Sequence, residues 1–481
     1  MLLEAITRQA ELTPAKLALI HNGVTWSYSG LAQRIAISRQ HFAAQKLRPG
    51  SVVVLAIQHL AAAWVHGIAL RSLGLNTLCV PAEKTLPDLS LARIDSVVTT
   101  VGEHRPEISM QVADKGWRLV IAAPIAQLAD VPLPQAAAAS ALPEGGHVLM
   151  TSGTTGSYKM VLRDAVAEAA SVPLHADING ISAQSVVYVG EFLKLTAGGY
   201  RWPLITWAVG GTVVFHQGPE PHRVFQALPV THAFATPSTL GHLLKAPADA
   251  LPYCASLRLL VTGGALPKAL ALIAQSRLTR QIFTVLASTE ALTLAVTPYD
   301  NSDGLQWHHI HPAREVQVVD EAGQPLPAGS QGQLRVRVLD GVQGYLDDPV
   351  ASQRFFRDGY FYPGDLGILA ADGRLALRGR VTEVINVLGS KLAAAPLEQA
   401  LQDALGATGV CIFSVPTAAA EEELHLAIES TAPIPRPQLE QVLETVLGRV
   451  IPHIRYHLCG QLPRNHMGKI QRALLQQQLL G

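Results

Sequence analysis

Apolar positions in the N-terminal run MLLEAITRQAELTP recur at helical spacing with Glu4, Arg8 and Glu11 between them. That pattern predicts an amphipathic helix and not an export signal. The most apolar region, SVVVLAIQHLAAAWVHGIALRSLGLNTLCV, is interrupted by Gln58, His59, His66 and Arg71, so it falls short of a membrane span. It divides into a strand SVVVLAI, a helix AAAWVHGIALRSLG ending at Gly74 and a strand NTLCVP, the rhythm of a parallel sheet. The rhythm returns in LRLLVTGGALPKALALIAQ, a β-rich run, a glycine turn and a helix with Pro267 suited to its first turn, after which QIFTVLA reads as another strand.

From about Ser330 the pattern shifts to longer alternating runs such as QGQLRVRVL. GILAADGRLALRG sets Asp372-Gly373 between two β-like arms, the signature of a tight hairpin. Beyond Arg380 come an amphipathic helix PLEQALQDALG, strands VCIFSV and LHLAIE, a helix RPQLEQVLETVLG and a helical tail. No solenoid repeat is visible, and PQAAAASALPEGG reads as a surface connection.

A chain of 481 residues is too long for one typical core and suggests two or three domains. Lys plus Arg and Asp plus Glu both number 37, so nothing in the charge balance points to nucleic acid or an anionic membrane, and a small-molecule partner is expected. Cys79, Cys254, Cys411 and Cys459 lie far apart with no C-x-x-C pair, which argues against a disulfide framework or structural zinc and fits a reducing cytoplasm.

Thr151 to Lys159, TSGTTGSYK, concentrates hydroxyls and glycines ahead of a lysine. The strand-like HVLM before it and KMVL after it make it the expected loop of a hairpin. Gly153 and Gly156 allow backbone N–H groups to converge on an anion, and the hydroxyls and Lys159 would complete a phosphate site. On these residues alone an ordinary flexible turn explains the run equally well. The spacing is not that of a Walker A loop.

The stretch resembles the phosphate-binding loop of the adenylate-forming superfamily, which comprises acyl-CoA synthetases, adenylation domains and firefly-type luciferases. Further stretches resemble that family in its own order: THAFATPSTLGHLL its acyl-pocket strand and helix, VTGGA its purine loop, LASTEA its aromatic-Gly-x-Thr-Glu segment. YFYPGDLG resembles its Thr-Gly-Asp segment, LRGRVTEVINVLGSK its hinge and following loop, and LPRNHMGKIQRALL its C-terminal lysine motif.

The resemblance implies an α/β fold. A large N-terminal domain, residues 1–380, would hold parallel and mixed sheets with helices plus a β-barrel-like part, and bind ATP and the acyl group. A small mobile α+β C-terminal domain, 381–481, would carry the catalytic lysine. The loop Thr151, Ser152, Gly153, Thr154, Thr155, Gly156 and Lys159 would cover ATP phosphates. Gly263, Gly264 and Ala265, with Leu286, Ala287 and Ser288, would flank the adenine; Thr289 would touch the α-phosphate and Glu290 would hold Mg²⁺. Asp365 would accept from the ribose hydroxyls with support from Arg380. Lys469 would bridge carboxylate and nucleotide, offsetting the charge of two anions brought together. The hinge would fall at Thr382, with the thiol approaching near Gly389. Gly198, Tyr200, Trp202, Phe234 and Ser238 are candidates for the acyl pocket.

The implied reaction is ATP-dependent activation of a carboxylic acid to an acyl-adenylate, then transfer to the thiol of CoA or of a carrier-protein phosphopantetheine. Gly198 stands where amino-acid-activating members place an Asp for the α-amine, and an unpaired ammonium is costly to bury, so a non-amino aryl or acyl acid is expected. Tyr158, Met160, Leu286, Ala287, Pro363 and Thr382 depart from the family's usual residues. Those departures leave a nucleotide-binding protein with impaired catalysis as an alternative of another class. His308, His309 and His311 in WHHIH lack a supporting carboxylate pattern and are expected in a polar loop.

Overall fold

The strand Val52–Leu55 leads into the helix Leu60–Arg71, which returns the chain to the parallel strand Asn76–Cys79 with Val52 opposite Asn76 and Leu55 opposite Cys79. Every residue of that helix is buried, so its apolar character all round reflects a central core position. Among the described residues no helix is long and apolar enough to cross a membrane. The computed structural model describes residues 2–81, 84–89, 91–128, 143–152, 158–190, 196–300, 305–338, 342–381, 383–387, 390–416, 422–430, 433–447, 454–464 and 470–480. They form two compact units.

The first unit comprises Met1–Phe234, Ser288–Thr293 and Val338–Phe361. One sheet runs in the order Arg118–Ala122, Ile94–Thr100, Val52–Leu55, Asn76–Cys79, His147–Ser152 and Tyr158–Arg163. Its strands are parallel except the last, which closes a hairpin on His147–Ser152. A second sheet places the parallel strands His232–Ala235, Val186–Gly190, Thr212–Phe215 and Leu17–His21 side by side, edged by the antiparallel Val24–Ser27.

Aromatic packing joins the layers of this unit. Trp64 stacks on Tyr200 with centroids 5.4 Å apart and meets Trp207 edge-on at 4.9 Å, while His147 stacks on Tyr200 at 4.1 Å. Beside them the buried Arg71 pairs with Glu168 at 2.9 Å and donates to the Gly145 carbonyl at 2.7 Å. Two charges this deep are tolerated because each is hydrogen-bonded as well as paired, and removing one partner would strand the other. The helix Ala165–Asn179 that carries Glu168 starts at Asp164, whose side chain accepts from Val166 and Ala167, and stops at Gly180 in the left-handed conformation.

The second unit comprises Ala235–Ala287, Leu294–Arg337 and Tyr362–Gly481. Arg258–Val261 and Ile282–Ser288 pair in parallel, and Pro267 is the N-cap of the helix Lys268–Arg277, just ahead of its first turn. An antiparallel sheet is built from Trp307–His309, Arg374–Arg380, Asp365–Leu369, Gln331–Arg337 and Val316–Val319. It is the expected barrel-like part, but it is open: no closed barrel forms among the described residues. The Asp372-Gly373 hairpin lies where expected, with Gly373 at φ +80°. WHHIH departs from expectation: Trp307–His309 is a strand, because pairing with Arg374–Arg380 draws His308 into the interior.

Beyond residue 380, the strands Gly409–Pro416, Glu422–Glu429 and Ile454–Cys459 form a mixed sheet against the helices Ala394–Leu405 and Arg436–Leu447. Leu397, Leu401, Val410, Leu426, Leu439 and Leu443 share one buried cluster, and Phe413, Leu462 and Leu475 belong to another. This stretch therefore carries apolar cores of its own.

Candidate functional site

Thr151 lies opposite Lys159 and Ser152 opposite Tyr158, so the strands that flank the glycine and hydroxyl run pair antiparallel, as a hairpin requires. Gly153, Thr154, Thr155 and Gly156 lie outside the described residues, as do Thr382, Gly389 and Lys469. Lys159, the first described lysine after the loop, points its ammonium at aromatic faces. Its Nζ is 3.8 Å from the centroid of the Phe355 ring and 5.3 Å from that of Tyr345.

Tyr345 connects Lys159 to Glu290. Its hydroxyl donates to Glu290 Oε1 at 2.7 Å, and both side chains are buried. Arg163, from the same strand as Lys159, reaches the backbone that carries that carboxylate. Its Nη2 donates to the carbonyls of Thr289 and Glu290, the latter at 2.9 Å. The turn that presents Glu290 is tight: Ser288 Oγ accepts from the Ala291 N–H at 2.9 Å, and Leu292 adopts φ +59°, a costly backbone for a branched side chain.

The segment Gly344-Tyr345-Leu346-Asp347-Asp348 is equally constrained. Ser352 Oγ accepts from Tyr345 N–H at 2.9 Å and donates to the Asp348 carbonyl at 2.7 Å, while Leu346 N–H donates to Met160 O at 2.8 Å. Asp348 caps the helix Pro349–Phe355, and a Cβ on Gly344 would stand 2.7 Å from Ser352 Oγ. Glycine is thus needed for this close approach.

A Mg²⁺ ion delivered with nucleotide phosphates needs only one or two hard oxygens from the protein. Glu290 fits that requirement, since its buried carboxylate is fixed through one oxygen by Tyr345 and its backbone by Arg163. Among the described residues no group of three or more His, Cys, Asp or Glu gathers to form a complete metal cage, so the remaining ligands would come from phosphate and water.

In the second unit Asp365 and Arg380 face each other across their strands, with Arg380 Nε 2.7 Å from Asp365 Oδ1. Arg380 Nη1 also donates to the Pro363 carbonyl at 3.3 Å. Gly263, at φ +82°, turns the chain after Arg258–Val261, leaving Gly264 and Ala265 exposed. A Cβ on Gly264 would be 3.8 Å from Pro237, the residue before Ser238, so those two predicted segments are neighbours. Leu286 and Ala287 lie near the end of the strand Ile282–Ser288 and are not fully buried.

Among the acyl-pocket candidates, Trp202 stacks on Phe234 with centroids 3.7 Å apart. A Cβ on Gly198 would come within 2.6 Å of the Trp202 ring. Tyr200 is engaged differently: its hydroxyl donates to Glu168 at 2.9 Å and accepts from Arg71, deep in the first unit's core. Burial pushes its phenol well above the usual tyrosine range, holding it neutral. Sequence reasoning missed Arg163 and Tyr345. The signal available for Tyr345 was GYLDDP, a glycine and aromatic placed against an Asp-Pro helix start.

Residues 6–346 match the family model described as AMP-binding enzyme. The chain is 26% identical over 508 aligned residues to the pyochelin synthase PchD of Pseudomonas aeruginosa strain UCBPP-PA14, covering 99% of this chain and 92% of that protein. It is 28% identical over 351 aligned residues to the salicyl-AMP ligase / salicyl-S-ArCP synthetase of Mycobacterium tuberculosis, covering 69% of this chain and 61% of that protein. Its fold is similar to that of O-succinylbenzoate coenzyme A synthetase from Bacillus subtilis in complex with ATP and magnesium, at a TM-score of 0.82 and 20% identity over 98% of this chain and 99% of that one.

Proposed function

This chain belongs to the AMP-binding enzyme family, and from that premise we propose that it activates a non-amino carboxylic acid with ATP and passes the acyl group to a thiol. A carboxylate oxygen attacks the α-phosphorus, forming an acyl-adenylate and expelling pyrophosphate. The thiol sulfur then attacks the acyl carbon, forming a thioester and expelling AMP. The observation that carries this reading is the link Tyr345 makes between Lys159, whose ammonium faces its ring, and Glu290, whose turn Arg163 holds.

In this reading the hairpin loop and Lys159 hold the phosphates, Thr289 contacts the α-phosphate, and Asp365 with Arg380 holds the ribose. Gly263, Gly264 and Ala265, with Leu286, Ala287 and Ser288, flank the adenine. Glu290 holds Mg²⁺, which when bound neutralises phosphate charge as pyrophosphate leaves. The protein's contribution is positioning: the capped turn and paired strands fix the charged groups before substrates arrive. Lys469 is assigned to the approach of the two anions. Residues 381–481 are assigned to a mobile domain hinged at Thr382, with the thiol entering near Gly389; the buried clusters within that stretch support an independently packed unit.

The stacked Trp202 and Phe234 support an aryl or acyl pocket with Gly198 and Ser238. The mycobacterial relative is named for a salicyl-AMP and for an ArCP thioester, which supports an aryl acid and a carrier-protein acceptor beside CoA. Four cysteines that form no disulfide among the described residues support a reducing cytoplasm as the compartment. The test is thioester capture: the chain, ATP and an acid panel are incubated with CoA or with a phosphopantetheinylated carrier protein. Acid-dependent thioester on either acceptor supports the reading. AMP-bound protein without any acyl transfer favours a binding protein lacking catalysis.

A further inference from the structure

Where Glu290 alone binds Mg²⁺ among the protein's side chains, the orientation of its carboxylate matters more than in a site with several acidic ligands. A free glutamate side chain samples several rotamers, and fixing it costs conformational entropy. Among the described residues a phenol supplies the restraint. Tyr345 donates its phenol to Glu290 Oε1 at 2.7 Å, and a phenol-to-carboxylate bond is among the stronger hydrogen bonds available to side chains.

The phenol is itself restrained on three sides. Its backbone N–H bonds to Ser352 Oγ, its neighbour Leu346 is tied to Met160, and its ring meets Phe356 edge-on with centroids 5.3 Å apart. Ala351 and Val342 close the packing around it, in one cluster with Val161. The same strand carries Met160, Val161 and Lys159, so the ring lies between the phosphate-loop lysine and the acidic turn.

Building on the ATP and Mg²⁺ reading above, we propose that Tyr345 is a positioning residue that presets the Glu290 carboxylate for the nucleotide-bound Mg²⁺ and sets how much Mg²⁺ the enzyme needs. It touches neither substrate nor metal; it acts through Glu290. Deleting the phenolic oxygen leaves the ring, its packing and the Lys159 contact in place, while the carboxylate gains rotational freedom.

The test is ATP binding measured calorimetrically without acid, so no turnover occurs, across a Mg²⁺ titration. Tyr345→Phe is expected to raise the Mg²⁺ concentration needed for half-maximal ATP binding about 10-fold to 100-fold, the range for loss of a hydrogen bond to a charged group. ATP binding in excess chelator should be unchanged. A titration that superimposes on the wild type, or an equal loss of binding with and without Mg²⁺, overturns the assignment. Glu290→Gln reads the same link from the other side, since its amide oxygen still accepts from Tyr345 and maintains the fold. In that background Tyr345→Phe should add no further Mg²⁺ shift, and an additive shift overturns the proposal even if the single variant proves unstable. A wild-type chain indifferent to Mg²⁺ in ATP binding sinks the metal reading together with this one, whereas Tyr345→Phe results alone bear only on Tyr345.

Discussion

The ammonium of Lys159 rests 3.8 Å from the centre of the Phe355 ring. A cation over an aromatic face is held by roughly 0.5–2 kcal/mol, less than several phosphate oxygens would offer. The contact therefore holds the lysine at the exit of the hairpin without competing strongly with phosphate oxygens for it. Lys159→Ala is expected to raise the KM for ATP about 10-fold to 100-fold while lowering stability by no more than about 2 kcal/mol. ATP titration of pyrophosphate exchange together with urea unfolding checks both halves. A large loss of stability with unchanged KM would mean that the lysine serves packing alone.

Arg163 is buried and donates to two backbone carbonyls of the Glu290 turn. Arg163→Met leaves those acceptors unsatisfied, and each buried orphan costs roughly 1–3 kcal/mol. The variant should unfold at distinctly lower urea and bind Mg·ATP more weakly, because the turn carrying Glu290 loosens. Normal stability with lost ATP binding would assign Arg163 to direct phosphate contact.

The first of these two residues was legible in the sequence and the second was not. Strand-like flanks around TSGTTGSYK were enough to place Lys159 at the exit of a hairpin, since alternation and glycine punctuation are local signals. Glu290 was reached through the resemblance. Arg163 and Tyr345 meet the Glu290 turn across sequence separations of 127 and 55, and no local pattern announces such pairings. Tyr200 shows the converse: its place beside Gly198 and Trp202 suggested a pocket, yet its hydroxyl is tied to Glu168. WHHIH read as polar because single-residue hydrophobicity hides the burial that strand pairing imposes on His308. Open versus closed curvature of the Asp365 sheet likewise depends on how its edge strands pair, which alternation does not encode.

Asp365 and Arg380 offer a cleaner separation of binding from stability. Their 2.7 Å pair is partly solvent-exposed, and such pairs contribute only about 0–1 kcal/mol. Asp365→Asn should therefore leave the unfolding midpoint nearly unchanged while raising the KM for ATP about tenfold, through loss of a charged acceptor for the ribose. A collapse of stability without a KM effect would make Asp365 a turn residue and nothing more.

His308 and His21 give the protein a defined acid sensitivity. Burial, helped by His309, holds His308 down at about 4, and burial with His59 does the same for His21. Both folded values lie below the unfolded value of about 6.5, so the native state favours neutral rings. Their stabilising contribution is complete above about pH 6.5 and is lost as pH falls from there toward 4, where the unfolded chain takes up protons first. Urea midpoints between pH 7.5 and 4.5 should fall in that window, and less steeply in His308→Gln. An identical slope in the variant would remove His308 from the explanation.

Carboxylate-dependent adenylation would depend on the carboxylate of Glu290. Pyrophosphate exchange into ATP, run with aryl, short and fatty acids on the wild type and on Glu290→Gln, addresses it directly. Exchange is expected only when a suitable acid is present, with a loss of about 100-fold or more in the variant, as when charge at the transferring phosphate goes unmatched. Silence with every acid, or exchange indifferent to Glu290, would contradict it.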